Sequence, residues 1–232
     1  MSQSTSPFLT QEPKSAATTV NPINNGFPTM EPIHTNGFGI KSKFSIKAGE
    51  EVRVQLARMG ALRIFAHGFN GNGKYLTEVC QKSVKGEIIQ TNCIICNAGI
   101  RQTEYYVIEV FVFRGEYDKT TKTHLAYTGV PDHQYLILNR TAYSRFIDFV
   151  NKLKVPADKV VIEVKGSAPT MGKGIDLSFS MALDEQAGGL YAPAKILDTN
   201  TTKRRLPDNI EDSFIPPSDA ELARYTITPY AS

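Results

Sequence analysis

The sequence contains no tryptophan and only three cysteines. An odd number of cysteines fits a disulfide framework poorly, so their spacing has to be explained in another way. The sequence also lacks a run of about eighteen apolar residues, the length that a membrane-spanning helix needs. Residues 1–11 have neither a basic start nor an apolar core, which argues against a secretory signal. We therefore expect a protein of a reducing, cytoplasmic compartment with no membrane partner.

The motifs of common enzyme families are missing as well. No Ser-His-Asp arrangement, Walker A motif or Rossmann fingerprint is found, and the run Gly71-Asn72-Gly73-Lys74 lacks the spacing and the Ser/Thr of a phosphate-binding loop. The formal net charge of +3 is mild and does not by itself indicate a nucleic-acid partner. These absences predict that the protein is not an enzyme.

Composition divides the chain into a body and two arms. Residues 1–37 are rich in Ser, Thr, Pro and Asn and predict a flexible arm, and residues 186–232 predict a C-terminal tail of similar character. Within the tail, Ser218 followed by Glu221 forms a capping box that favours a short helix over 218–225. The basic run 201–205 is interpreted as a solvated stretch.

The body, residues 38–185, is predicted to be mainly β with one helix. Alternating or β-rich runs predict strands at 44–46, 52–56, 62–66, 105–113, 135–138, 160–164 and 175–181. Apolar residues at helical spacing predict a helix over 141–153, with Phe146 and Phe149 facing the core, and Pro156 blocks its continuation. This pattern suits a small barrel, and an OB-fold, an SH3-like barrel and a sandwich all remain open.

The three cysteines and one histidine carry the most chemical information. Cys93 and Cys96 form a CxxC pair that can hold one ion from a tight turn, and twelve residues separate each of the steps His67 to Cys80 and Cys80 to Cys93. Three thiolates and an imidazole are a ligand set of closed, structural zinc sites. Soft sulfur ligands also select zinc over magnesium or calcium.

Three other interpretations of this pattern remain open. A CxxC can arise by chance, although chance gives no reason for all three cysteines to fall within seventeen residues. A redox CxxC usually opens a helix after a strand, whereas polar residues precede Cys93. A catalytic zinc is disfavoured because four protein ligands leave no position for water, and because His67 is not part of the His-x-Glu of zinc deaminases.

At these residues the sequence resembles a known family. The string from His67 to Cys80, HGFNGNGKYLTEVC, is similar to the stretch that leads into the zinc site of the helix-destabilising, single-stranded DNA-binding proteins of T-even phages. The order His, Cys, CxxC also matches that family. The similarity covers roughly residues 40–182, with the fourteen-residue string as its most specific part.

The resemblance implies an OB-fold barrel with an inserted zinc subdomain at about 67–100 and one packed helix. It implies that structural Zn²⁺ is bound by His67, Cys80, Cys93 and Cys96. It also implies a viral protein of the host cytoplasm that coats single-stranded DNA in replication, recombination and repair. Its partners would be replication proteins, such as a polymerase or helicase loader, and further copies of itself along DNA.

The chain departs from the family's pattern at both ends. The family has a basic motif near its N-terminus, whereas residues 1–37 here contain one Lys, Lys14, and no Arg. The family also ends in a long acidic tail, whereas few acidic residues are found near the end of this chain. Cooperative binding through the family's basic motif and recruitment through its acidic tail are therefore not implied for this chain.

Binding to single strands without sequence preference needs cations for the phosphates and aromatic rings for the bases. The candidate contacts are Lys43, Arg53, Arg58, Arg101, Tyr105, Tyr106, Phe111, Arg114, Lys119, Lys122, Arg140 and Tyr143. In the run 105–113, the even-numbered residues from 106 to 112 form the more apolar face and are predicted to face the core. That alternation leaves Tyr105 and Phe111 as the candidates for a DNA groove.

Two other protein classes fit parts of this pattern. A virion structural or scaffolding protein would explain a β-rich body with long Pro/Asn-rich arms. A zinc-ribbon transcription or RNA-binding factor would explain the metal ligands. Binding to oligo-dT distinguishes the first from a single-strand binder, and competition among single-stranded DNA, duplex and RNA distinguishes the second.

Overall fold

The computed structural model describes residues 46–84, 87–88, 92–114, 117–118, 120–121, 123–124, 131–168, 175–184, 189–190 and 206–229. Within these residues the chain is mainly β, with an open antiparallel sheet and short helices. Lys43 and the predicted N-terminal arm lie outside the described residues, as does the basic run 201–205.

The elements are as follows in chain order. The strands are β1 (Glu51–Leu56), β2 (Leu62–Gly71), β3 (Lys74–Val79), β4 (Ser83–Val84), β5 (Glu87–Ile88), β6 (Thr103–Phe113), β7 (Tyr117–Asp118), β8 (Thr123–His124), β9 (Asp132–Asn139), β10 (Ile162–Ser167), β11 (Asp176–Met181), β12 (Leu183–Asp184), β13 (Gly189–Leu190) and β14 (Ile227–Thr228). The α-helices are α1 (Ile94–Asn97), α2 (Arg140–Lys152) and α3 (Asp219–Leu222). Short 3-10 turns occupy Ala157–Lys159 and Ile210–Ser213.

The described residues fall into two compact units. Unit 1 holds those between Ser42 and Leu62 and between Tyr105 and Ile210. Unit 2 holds those between Arg63 and Glu104 and from Glu211 onward. The four predicted metal ligands all belong to unit 2.

Unit 1 is built on an antiparallel sheet in the order β11-β10-β1-β6-β9. Its register aligns β-branched side chains across neighbouring strands, since Val54 lies opposite both Ile162 and Val112. Such cross-strand pairs of β-branched residues stabilise a sheet. The predicted strands at 52–56, 105–113, 135–138, 160–164 and 175–181 all overlap strands of this sheet.

Helix α2 covers one face of the sheet of unit 1. It begins after Asn139, whose side chain accepts a hydrogen bond from the backbone N–H of Ala142 at 2.9 Å and so caps the helix. Phe146 is fully buried, and its ring packs edge-on against Phe179 with the centroids 5.3 Å apart. The core on this face also holds Ile108, Val110 and Val112, as the sequence predicts.

The opposite face of β6 differs from the prediction. The sequence predicts Phe111 as a groove residue on this face, but its side chain is only 4% exposed, and that of Phe113 is 9% exposed. Both rings pack in a second buried cluster with Val161 and Ala182. Both faces of this part of β6 are therefore covered, which explains why nearly every residue of the run is apolar.

The sheet of unit 1 is open in the described residues. A barrel requires its outer strands to pair with each other, and the described parts of β9 and β11 form no such pairing. The mainly β class predicted from the sequence is confirmed, whereas the closure of an OB-fold barrel is not.

Unit 2 is built around the β2–β3 hairpin. Gly71 pairs with Lys74, which leaves Asn72 and Gly73 as a two-residue loop with φ of 54° and 81°. Positive φ at both positions is typical of the type I′ turn, which favours the Asn-Gly dipeptide found here. The run Gly71–Lys74 is therefore a hairpin turn rather than a phosphate-binding loop.

Residues 211–229 of the predicted tail region fold into unit 2. Helix α3 starts at Ser218 with the predicted capping box to Glu221, and Leu222 is fully buried. Strand β14 then pairs antiparallel with β2, placing Ile227 opposite Gly71. We call residues 211–229 the C-terminal segment.

We expect Phe146→Ala to reduce the free energy of unfolding by about 3–5 kcal/mol, because it leaves a cavity in a closed core. Chemical denaturation followed by circular dichroism measures the change. The exposed residue Asn151, on the same helix, provides a control, and Asn151→Ala should change stability by less than about 0.5 kcal/mol. Equal effects of the two substitutions would contradict this packing.

Candidate metal centre

The four predicted ligands lie on two structural elements of unit 2, the β2–β3 hairpin and the CxxC turn. His67 is on β2, and Cys80 follows the last residue of β3. Cys93 caps the N-terminus of α1, and Cys96 lies within that helix. The hairpin therefore supplies two ligands and the CxxC turn supplies the other two, an arrangement we call the His/Cys cluster.

The ligand atoms of the His/Cys cluster lie within 4.8 Å of one another. The Cys80 sulfur is 3.9 Å from that of Cys93 and 3.8 Å from that of Cys96. The Nε2 atom of His67 is 3.7 Å from the Cys93 sulfur and 3.4 Å from the Cys96 sulfur. These separations far exceed the ~2.05 Å of a disulfide bond, so all three cysteines are free thiols.

The same separations match the edges of a tetrahedron around one ion. Zinc–sulfur bonds of about 2.3 Å and a zinc–nitrogen bond of about 2.0 Å place two sulfurs ~3.8 Å apart and a sulfur ~3.5 Å from the nitrogen. The cluster can therefore hold a metal ion without a large rearrangement. Because it provides four ligands, it leaves no open coordination position and suits a structural role.

Hydrogen bonds orient the ligands. The Nδ1 atom of His67 lies 3.3 Å from the carbonyl oxygen of Arg101, which suits the tautomer with a proton on Nδ1 and leaves Nε2 for a metal. Backbone N–H groups approach the sulfurs, with Lys82 donating to Cys80 at 3.4 Å and Cys96 donating to Cys93 at 3.5 Å. Such donors stabilise thiolates, which are the metal-binding form.

Burial shifts the acidities of the ligands. It lowers the pKa of His67, so the imidazole is held in the neutral form that binds metals. Burial raises the pKa of the Cys80 thiol to about 12, with the neighbouring Cys93 adding to the rise. Burial also tends to raise the pKa of the Cys93 thiol. Hydrogen bonds from backbone N–H groups, of which that of Cys96 has the largest effect, outweigh burial and lower this pKa below its ordinary value. Without a cation the cluster therefore keeps protons that a metal has to displace.

The structure also bears on the redox interpretation of the CxxC pair. A redox pair works through two thiols alone, whereas here both Cys93 and Cys96 contact His67, and each is within 4 Å of Cys80. The convergence of all four side chains explains the spacing better than a dithiol or chance does.

The structure brings four of the candidate DNA contacts to one corner of unit 1. Tyr105 and Tyr106 lie near the start of β6, opposite Asn139 and Leu138 at the end of β9, where α2 begins. We call Tyr105, Tyr106, Arg140 and Tyr143 the aromatic corner. The rings of Tyr106 and Tyr143 stack with centroids 3.7 Å apart and planes 5° from parallel. Tyr105 is half-buried and Arg140 is exposed at the same corner.

Two other candidate contacts, Arg58 and Arg114, lie close to acidic residues of unit 1. Arg58 contacts Glu109 at 3.6 Å and donates to the backbone oxygen of Asp208 at 3.0 Å. Arg114 is half-buried beside Glu50 at 3.1 Å. These two arginines are held by acceptors within unit 1, which reduces the charge they offer to a phosphate.

The remaining candidates are placed as follows. Phe111 is buried, so its ring is not available to a base in this structure. Arg53 is half-buried on β1 opposite Glu163, whereas Arg101 is exposed on unit 2. Lys119 and Lys122 lie outside the described residues.

Sequence reasoning missed several residues around the cluster and on unit 2. Gln102 donates from its side chain to the Cys96 sulfur at 3.6 Å, and Gln81 accepts from the backbone N–H of Ile94 in the CxxC turn and donates to Asp219. Arg63 forms an ion pair with Glu104, and its guanidinium lies 4.9 Å from the centroid of the Phe65 ring. Of these residues, only the two glutamines could have been predicted from the sequence, because each lies close to a predicted metal ligand.

No protein-family model, curated protein or solved structure matches this chain. None of the helices in the described part of the chain has both the length and the apolar character needed to cross a bilayer.

We expect the purified protein to bind one metal ion through the His/Cys cluster, and His67→Ala or Cys93→Ser to lose it. Both substitutions should also lower the melting temperature, because ligand removal takes away the link between the hairpin and the CxxC turn. Metal analysis by mass spectrometry together with thermal melting measures both effects. His133, which is buried in unit 1, gives a matched control, since His133→Ala should retain the metal. Full metal content in His67→Ala would exclude this site.

Metal affinity should fall as the pH falls. Because the Cys80 thiol has a pKa of about 12 in the metal-free protein, binding near neutral pH releases its proton. The apparent affinity should therefore weaken at least about tenfold for each pH unit of acidification. Competition with a chromophoric chelator at several pH values measures this dependence, and an affinity independent of pH would contradict it.

Proposed function

We propose that the protein is a single-stranded DNA-binding protein with a structural zinc ion. It coats unpaired strands in DNA replication, recombination and repair of the phage type, in the cytoplasm of the host. In this proposal unit 1 is the core of an OB-type barrel, unit 2 is the zinc subdomain, and the protein has no enzymatic activity. Replication proteins and neighbouring copies along the strand are its proposed partners.

The observation that carries the proposal is the assembly of the His/Cys cluster. The resemblance to the phage proteins implies four ligands in the order His, Cys, CxxC, and these four side chains converge in unit 2. A chance resemblance in a fourteen-residue string would give no reason for ligand atoms far apart in sequence to meet. The convergence of these four side chains is what supports the proposal.

The proposed ion is zinc because of its ligands. Three sulfurs and one imidazole nitrogen at tetrahedral spacing suit zinc, which has no preferred geometry of its own and binds both ligand types. Its role would be structural, because the described residues between Cys80 and Ile100 form only the two-residue strands β4 and β5 and the four-residue helix α1. Linking them to the hairpin stabilises a segment that is too short to bury a large core of its own.

The aromatic corner provides the chemistry for unpaired bases and phosphates. A half-buried tyrosine ring can extend the stack of a base without reading its identity, and an exposed arginine nearby can pair with a phosphate. Tyr106 and Tyr143 stack on each other on the face of β6 that packs against α2, and this contact fixes the end of the strand, whereas Tyr105 projects from the other face. We therefore propose Tyr105 as the stacking residue and Arg140 as the phosphate contact.

The Tyr105→Ala substitution should weaken binding of fluorescein-labelled oligo-dT by about 1–3 kcal/mol, the usual contribution of one stacked base. Arg140→Ala should weaken binding and also reduce the slope of log affinity against log salt by about 0.7, since one phosphate contact is lost. Fluorescence anisotropy at several salt concentrations measures both changes.

Lys152, an exposed cation at the other end of α2, is the matched control, and Lys152→Ala should leave both values unchanged. Competition with duplex DNA and with RNA then distinguishes the protein classes. Preference for duplex or RNA would favour a zinc-ribbon factor, and absence of oligo-dT binding at low salt would reject the proposal.

A further inference from the structure

The side chain of Gln81 joins the CxxC turn to the C-terminal segment. Its Oε1 atom accepts a hydrogen bond from the backbone N–H of Ile94, the residue after Cys93, at 3.0 Å. Its Nε2 group donates to the backbone oxygen of Pro217 at 3.1 Å and to Oδ1 of Asp219 at 2.6 Å. One amide next to Cys80 therefore bonds simultaneously to the metal-binding turn and to the start of α3.

Apolar packing connects the same two regions. Leu222 of α3 is fully buried in a cluster that also contains Phe69, Ile95 and the ligands Cys80 and Cys93. The position of the helix thus depends on the side chains that surround the metal centre. Leu222 and the Cys80 and Cys93 side chains therefore belong to one packed apolar cluster.

A different residue holds the other end of the C-terminal segment. Asn72 donates from its side chain to the backbone oxygen of Arg224 at 3.0 Å and accepts from the backbone N–H of Thr226 at 2.8 Å. This residue lies in the hairpin turn and is no neighbour of a metal ligand in sequence. The segment therefore has one attachment next to the cluster and one at the hairpin turn.

We propose that metal binding controls the docking of the first part of the C-terminal segment, residues 214–222. With the ion bound, Cys80 and the CxxC turn are held together, and the Gln81 amide is positioned to bind Pro217 and Asp219. When the ion leaves, the turn is no longer held against Cys80, and α3 is released while the attachment at Asn72 remains. The site thereby acts as a metal-dependent switch for this segment, whether or not the protein binds DNA.

Hydrogen exchange measured by mass spectrometry on the full-length protein tests this proposal. Removal of the metal with a chelator should accelerate exchange in peptides covering 214–222 at least about tenfold, because a docked helix opens locally when its contacts are lost. Peptides covering α2 should not change. Identical exchange of 214–222 with and without metal would overturn the proposal.

The substitution Gln81→Glu separates docking from metal ligation. A carboxylate still accepts from the Ile94 N–H, but it loses the donor to Pro217 and repels Asp219. Exchange of 214–222 should rise about tenfold in the metal-loaded protein, and adding Asp219→Asn should reverse part of the increase by restoring a donor. Asn97, which donates to Asn92 on the surface of the same unit, is the control, and Asn97→Ala should leave exchange unchanged.

Metal binding and docking of residues 214–222 are coupled equilibria, and this coupling provides a further test. If metal binding favours docking, then docking favours metal binding by the same factor, so Gln81→Glu should weaken metal affinity about as much as it accelerates exchange. Chelator competition measures that affinity. An exchange increase with unchanged metal affinity, or no exchange increase at all, would overturn the proposal. Neither result involves DNA, so failure here would leave the proposed function to its own test.

Discussion

The close approach of three sulfurs and an imidazole is the constraint on which unit 2 depends. Buried thiols that lie 3.8–3.9 Å apart and contact a histidine nitrogen gain little from one another as neutral groups. A metal ion bound between them would form four strong coordinate bonds at the same separations. The β2–β3 hairpin, the CxxC turn and the hydrogen bonds to the sulfurs all position these atoms, so a metal explains several features that have no other evident purpose.

The C-terminal segment shows how this constraint extends through unit 2. Leu222 fills the apolar cluster beside Cys80 and Cys93, while the side chains of Gln81 and Asn72 satisfy backbone groups at the two ends of the segment. A chain end of this composition would otherwise remain flexible. Its order follows from surfaces that the hairpin and the metal-binding loops present to it.

Strand β6 illustrates where a sequence pattern is reliable and where it is ambiguous. The run 105–113 predicts a strand, and the assignment of Ile108, Val110 and Val112 to the core is confirmed. The alternation could not show that the other face is also covered, because Phe111 suits both a buried position and an exposed stacking surface. The buried Glu109 beside His133, at 3.5 Å, lies on that second face and would also have been read as solvent-facing.

The sequence by itself determined the five strands of the unit 1 sheet, the helix α2, the Asn-Gly turn and the identity of the four cluster residues. These features depend on local periodicity, on turn chemistry and on a few uncommon residue types at fixed spacing. Tertiary structure alone decided that the sheet is open in the described residues, that Phe111 is buried, and that the chain end packs beside Cys80. Those outcomes depend on contacts between residues as distant as Gln81 and Asp219. A local pattern contains no information on such pairs, because the free energy that selects them arises only when the surfaces meet.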